Sequence, residues 1–161
     1  MNETYYDVPQ PNEVGKRDRE DGMGAYLMMF ASTAIGLPLP IINSLAAIIY
    51  YFTNRKKSPY VHFHSLQSLL SQIPTSILNA ILIFWSVRIW FMESLSYNDY
   101  FKGYLIATIV ANVIYFIFSL IAAMRAYKGR MYYMILFGPI AYNVAFRKRA
   151  EKQFVNKPPT L

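Results

Sequence analysis

Long uninterrupted apolar runs constrain this chain more than any other feature. They fall near residues 24–52, 63–92 and 104–124, with a shorter run at 131–146. A helix needs about 20 apolar residues to cross roughly 30 Å of hydrocarbon. The first three runs meet that length and the fourth is marginal. In hydrocarbon every backbone polar group must pair internally, and runs of this length do so as helices. The expected fold is all-α: a polytopic helical membrane bundle with three to four transmembrane helices. Residues 23–146 form its membrane domain, between a polar N-terminal tail (1–22) and a basic polar C-terminal tail (147–161).

The tails explain why mean hydropathy is only +0.21 although 55% of the 161 residues are hydrophobic. The first 22 residues hold prolines and the mixed-charge run from Lys16 to Asp21, with no apolar core. They read as a disordered or surface-lying segment and not as a signal peptide. The net charge of +7 would suit nucleic acid, but the cations flank the apolar runs instead of forming one patch. Membrane topology accounts for them, and no nucleic-acid partner is expected. With no cysteine, disulfides and thiolate metal sites are excluded.

The first apolar run carries Gly36, Pro38 and Pro40, which break or kink a helix. It reads as one long bent helix, with two half-helices as the alternative. Pro74 marks a kink in the second run; Trp85 and Trp90 suit an interfacial belt, and Arg88 can snorkel to headgroups. Basic residues cluster at 55–57, 125–130 and 147–149. The positive-inside bias puts all three on the cytoplasmic side only if the fourth run does not cross. The expected topology is N-out with three spans and a fourth segment that is short, interfacial or re-entrant.

The second run opens on Ser58-Pro59-Tyr60-Val61-His62-Phe63-His64-Ser65-Leu66-Gln67-Ser68, which puts two histidines and a glutamine at its edge. At about 100° per residue, Gln67, Ser68, Ser71, Gln72, Thr75 and Asn79 fall within roughly 80° of His64. Leu69, Leu70, Ile73, Ile77, Ile81 and Phe84 take the opposite face. The helix is inside-out amphipathic, with an apolar face for lipid and a polar stripe for protein or water. The third run repeats the pattern with Tyr104, Thr108, Asn112, Tyr115 and Ser119. Such stripes serve helix packing, a wetted cavity or a contact with another subunit.

His62 and His64 point about 200° apart on a regular helix and cannot share a metal. His62 suits headgroup or interfacial bonding, and His64 a buried bond to the stripe or basic loop. No carboxylate lies mid-span, no serine triad set is evident and no phosphate-binding glycine loop is present. No metal, no cofactor and no catalytic residue is expected, and the chain does not read as an enzyme.

The stretch from Pro59 to Ser68 resembles the Pro-Phe-Val-Arg-Phe-His-Ala-x-Gln-Ala pattern of small bacterial membrane proteins related to the Tic-type subunit of the chloroplast inner-envelope import translocon. Pro38-Leu39-Pro40, the basic loop, and Ala126-Tyr127-Lys128-Gly129 followed by Tyr132-Tyr133 fit the same pattern. Pro59, Phe63, His64 and Gln67 match it. Tyr60 replaces Phe, His62 stands where Arg is usual, and Ser65 and Ser68 stand where Ala is usual. The resemblance implies a four-helix bundle in the bacterial inner membrane. Its implied role is that of a non-enzymatic subunit or accessory factor of a larger assembly, with protein translocation as the leading function. Expected partners are the bilayer and other membrane subunits or further copies of the chain. A small-molecule or ion transport subunit and a purely structural assembly factor are the alternatives.

Overall fold

The computed structural model describes residues 7–31, 40–91 and 97–155, with side chains at all of these except 40, 41 and 148–155. The described residues are helical or irregular, with no strand among them. α1 spans Lys16–Leu27 and continues into a 3-10 turn at Met28–Phe30. α2 spans Pro40–Asn54, α3 Pro59–Phe91, α4 Asp99–Tyr127 and α5 Gly138–Val155.

Local chemistry sets these limits. Ser58 Oγ accepts the Val61 N–H at 3.2 Å, and Pro59 fills the first turn, where a missing N–H costs nothing. Asn98 caps α4 by accepting the Phe101 N–H at 2.9 Å. α4 ends in a Schellman motif, with the Gly129 N–H on the Ala126 carbonyl and the Arg130 N–H on the Arg125 carbonyl. Gly129 has φ +73°, and a Cβ there would lie 2.9 Å from the Pro11 carbonyl oxygen. α3 stays helical through Pro74.

α3 and α4 are the two described helices long and apolar enough to cross a membrane, with 33 and 29 residues. They pair antiparallel, as Tyr60 meets Ala126, Asn79 meets Asn112 and Trp85 meets Phe101. Their outer faces carry exposed Ile77, Ile81, Phe84, Ile106, Val113 and Ile117. Apolar side chains in that density and on that scale fit lipid, not water.

The expected single bent helix over residues 24–52 is corrected. α1 runs parallel to α3, since Asp21 meets Lys57, Gly22 lies against Tyr60 and Ala25 meets Ser68. α2 runs antiparallel to it, since Tyr51 meets His62 and Ser44 meets Ser76. Asp21 then reaches both Tyr50 and Lys57. The chain therefore reverses between Ala31 and Pro40, and the run is a helical hairpin. Gly36 and Pro38, which with Pro40 carried the expected kink, lie outside the described residues; Pro40 opens α2.

Two boundaries also differ. Residues 16–21 belong to α1 instead of a disordered tail, because α1 packs one face on α3 and α4 and buries Gly22, Ala25 and Tyr26. At the other end α5 continues through Arg147 to Val155. The fourth apolar run becomes an irregular stretch followed by α5, which packs Ala141, Ala145 and Phe146 on Phe63 and Leu66. Gly138-Pro139 starts that helix, and its basic second half keeps it from being an apolar span. Among the described residues two helices qualify as spans by length and composition, against the three to four expected.

Candidate functional site

Because α3 starts at Pro59, Tyr60, Phe63, His64, Gln67 and Ser68 line one face at three- and four-residue steps. Phe63, His64 and Gln67 are 0% exposed. Burying an amide and an imidazole is costly unless their polar atoms are paired. Gln67 answers this with three bonds. Its Nε2 donates to the Tyr132 carbonyl at 2.8 Å and to the Tyr26 hydroxyl oxygen at 2.7 Å. Its Oε1 accepts the Met134 N–H at 3.2 Å. The two backbone partners admit only one orientation of the amide, since a carbonyl cannot donate and an N–H cannot accept.

The Tyr26 oxygen that accepts from Gln67 also lies 3.0 Å from His64 Nδ1, and the His64 tautomer decides which of the two donates. His64 Nε2 has no hydrogen-bond partner among the described residues. The ring is held edge-on between Tyr60, Tyr26 and Phe63, with centroids 4.5, 5.7 and 5.0 Å away. Ser68 donates to the Ala25 carbonyl and Tyr60 to the Ala126 carbonyl, both at 2.7 Å. One face of α3 thereby fastens α1, α4 and the 131–134 stretch at one point. Gly22 makes the approach possible: a Cβ there would sit 3.0 Å from the Tyr60 ring.

Further along α3 the stripe changes character. Ser71 and Thr75 donate back to the carbonyls of Ser68 and Gln72. Asn79 and Asn112 exchange amide bonds at 3.0 and 3.1 Å, tying α3 to α4, and Tyr104 donates to the Leu78 carbonyl. Gln72 is 3% exposed, yet neither of its amide atoms has a hydrogen-bond partner among the described residues. The buried Thr108 and Ser119 hydroxyls and the Tyr115 hydroxyl likewise close no bond there. Beside them lies a chamber of about 260 Å³, lined by residues that include Asn43, Gln72, Thr75, Ser76, Asn79, Asn112 and Tyr115.

The sequence-expected site residues thus divide. Pro59 starts the helix and is half-buried; Phe63, His64, Gln67 and Ser68 form the knot. Gln72, Thr75, Asn79 and Asn112 line the chamber, Ser71 adjoins it, and Thr108 and Ser119 are buried in the α3–α4 seam. His62 diverges from His64 as its spacing requires, and its Nε2 lies 3.2 Å from the Tyr51 hydroxyl. The knot also needs Tyr26, which the sequence pattern did not single out, and Tyr60 and the backbone at 132–134, which lay in the quoted pattern without a role. The only advance sign of a role is the phenolic hydroxyls of Tyr26 and Tyr60, set beside or within apolar runs.

Charge is confined to the rim. Asp21 and Lys57 pair at 2.7 Å, and Arg19 donates to the carbonyls of Val14 and Pro11. The Arg55 guanidinium lies 4.7 Å from the Phe52 ring centre. Outside the spanning helices, Tyr133 packs on Phe63 and Tyr142; burial first, and Tyr142 second, push its phenol above the ordinary range. The knot and chamber hold amides, hydroxyls and one imidazole, a set suited to hydrogen bonding and not to charge transfer. Among the described residues no three His, Cys, Asp or Glu converge as metal ligands.

Residues 20–154 match the model of the family described as magnetosome magnetite crystal formation protein, MamF/MmsF. No curated protein and no solved structure matches the chain. The match overturns the resemblance to Tic-type translocon proteins, and the translocation function that rested on it falls as well. The physical reason is visible in the knot. Pro59, Phe63, His64 and Gln67 start a helix, fill its core and satisfy its buried bonds. A pattern that serves packing identifies a way of fastening helices, not a function.

Proposed function

The chain belongs to the MamF/MmsF magnetosome magnetite crystal formation family, and on that premise we propose that it is a non-enzymatic structural factor of the magnetosome membrane. It is an integral membrane protein. In this reading it acts on crystal formation through its place in the bilayer and through contacts with other membrane subunits or copies of itself.

The observation that carries the reading is the sorting of the molecule into two ends. The start of α1, the Arg55, Lys56 and Lys57 loop, and the Arg125, Lys128 and Arg130 end of α4 gather at one end. The stretch between Phe91 and Asp99, flanked by exposed Trp90, Tyr97 and Tyr100, is the other. By the positive-inside bias the basic end faces the cytoplasm. The α1–α2 hairpin then enters and leaves on the cytoplasmic side, α3 and α4 cross, and of the described residues the vesicle interior meets only those around Tyr97 and Asn98. Little of the chain is left there to carry out a reaction. Two crossing helices also enclose no pore alone, so a transport role would need further copies.

Deletion of the gene in a magnetite-forming cell tests the reading. Crystal size, shape or number should change while iron still accumulates in the vesicles, and the full chain should restore the normal crystals. Unaltered crystals would remove the reading; vesicles without iron would favour the transport alternative.

A further inference from the structure

The Gln72–Asn79 stretch of α3 has a polar chamber beside it that helix packing alone does not explain. Gln72 lies 13 residues into α3 and Asn79 lies 12 from its end. At about 1.5 Å per residue both are roughly 20 Å from the nearer end, which is mid-membrane depth. Polar groups at that depth need a partner. Gln72 is buried and neither amide atom has one among the described residues. The Tyr115 hydroxyl faces the Ser119, Gln72 and Ser71 side chains, and the four form a buried polar cluster beside the space. Two helix ends border the same space, through Met29 and Phe30 of the 3-10 turn and Asn43 of the α2 first turn. Helix ends leave backbone groups without intrahelical partners.

We propose that this chamber is a hydrated binding site inside the membrane, holding water on Gln72, Tyr115 and the Asn79–Asn112 pair. About 260 Å³ is room for several waters at roughly 30 Å³ each. The lining sets the ligand class. It is amide, hydroxyl and apolar, with no carboxylate or imidazole. Iron and other divalent cations are held by carboxylate, imidazole or thiolate, so this lining selects uncharged hydrogen-bonding molecules.

The chain has no cysteine, so single-cysteine labelling is free of background. Thr75→Cys and Ser76→Cys place a thiol in the chamber, and Ile109→Cys places one at matching depth on the exposed outer face of α4. The thiolate, which forms in water and is suppressed in apolar surroundings, attacks methanethiosulfonate ethylammonium, forming a mixed disulfide and releasing methanesulfinate. With the full chain in lipid nanodiscs, both chamber thiols should react at least about tenfold faster than Ile109→Cys, the factor that one pKa unit gives. Gln72→Leu added to Thr75→Cys should slow the chamber reaction. Chamber thiols as inert as the lipid-facing one, or rates indifferent to Gln72→Leu, would overturn the proposal.

Discussion

Gln67 shows how much one side chain can determine. Its amide is oriented by two backbone groups, and the same amide donates to the Tyr26 hydroxyl that bonds His64. Replacing Gln67 by Leu keeps the volume but strands the Met134 N–H, the Tyr132 carbonyl and one Tyr26 bond. A buried unpaired group costs about 1–3 kcal/mol, so Gln67→Leu should lower stability by about 3 kcal/mol. Tyr26→Phe removes a hydroxyl and leaves its ring in place, and should lose about 1 kcal/mol. Denaturant unfolding of the purified protein in detergent measures both; equal and negligible losses would show that the knot is not a fastening point. His64 and Gln67 were legible as polar residues on one face, and packing against other helices was one of the three uses that face allowed. Their partners were not, because Tyr26 is 38 residues from His64 and Tyr132 is 65 from Gln67. Helical period says where a side chain points along its own helix and nothing about what arrives there.

At the scale of elements, α3 and α4 were readable as helices from their apolar runs, with Ser58-Pro59, Asn98 and Gly129 marking their ends. The α1–α2 reversal was not. A continuous apolar run over residues 24–52 has the same hydropathy whether the chain goes straight through or folds back. Only the opposed pairings of Tyr26 and Tyr51 with α3 distinguish the two. The mixed charges of residues 16–21 hid α1 for a different reason: the residues it buries, Gly22, Ala25 and Tyr26, give it almost no apolar stripe. Gly129 tests how the end of α4 is held. An alanine there would take a left-handed backbone costing about 1–2 kcal/mol and press its Cβ on the Pro11 carbonyl. Gly129→Ala should destabilise the protein by about 2–3 kcal/mol and loosen residues 11–19. Protease susceptibility of that N-terminal stretch reports the loosening, and unchanged cleavage would refute it.

For the molecule as a whole, folding back the first run changes the topology. Three spans with the N-terminus outside put Gly15 and Ser58 on opposite faces of the membrane. The hairpin puts them on the same face, with Tyr97 opposite. Gly15→Cys, Ser58→Cys and Tyr97→Cys, labelled with an impermeant maleimide in sealed vesicles, should sort as two against one. A Cβ at Gly15 would meet nothing within 4 Å, so the label perturbs little there. The basic clusters were legible from the start, and the mixed-charge N-terminus was the one residue run that sat badly with three spans. With the hairpin it joins the cations on their own side, beside Lys57 through Asp21.

The hairpin also sets how much room the molecule takes at each depth. α1, α2, α3 and α4 all stand at the level of His64, whereas among the described residues only α3 and α4 reach the level of Trp85. Exposed Leu45, Ile48, Ile49 and Phe52 on α2 keep the crowded level in contact with acyl chains. One leaflet therefore accommodates about twice the protein cross-section of the other. The molecule is a wedge, and a wedge sits with least strain where the wide leaflet is stretched and the narrow one compressed. On the orientation proposed above, with the basic end outward, that is the wall of a small vesicle.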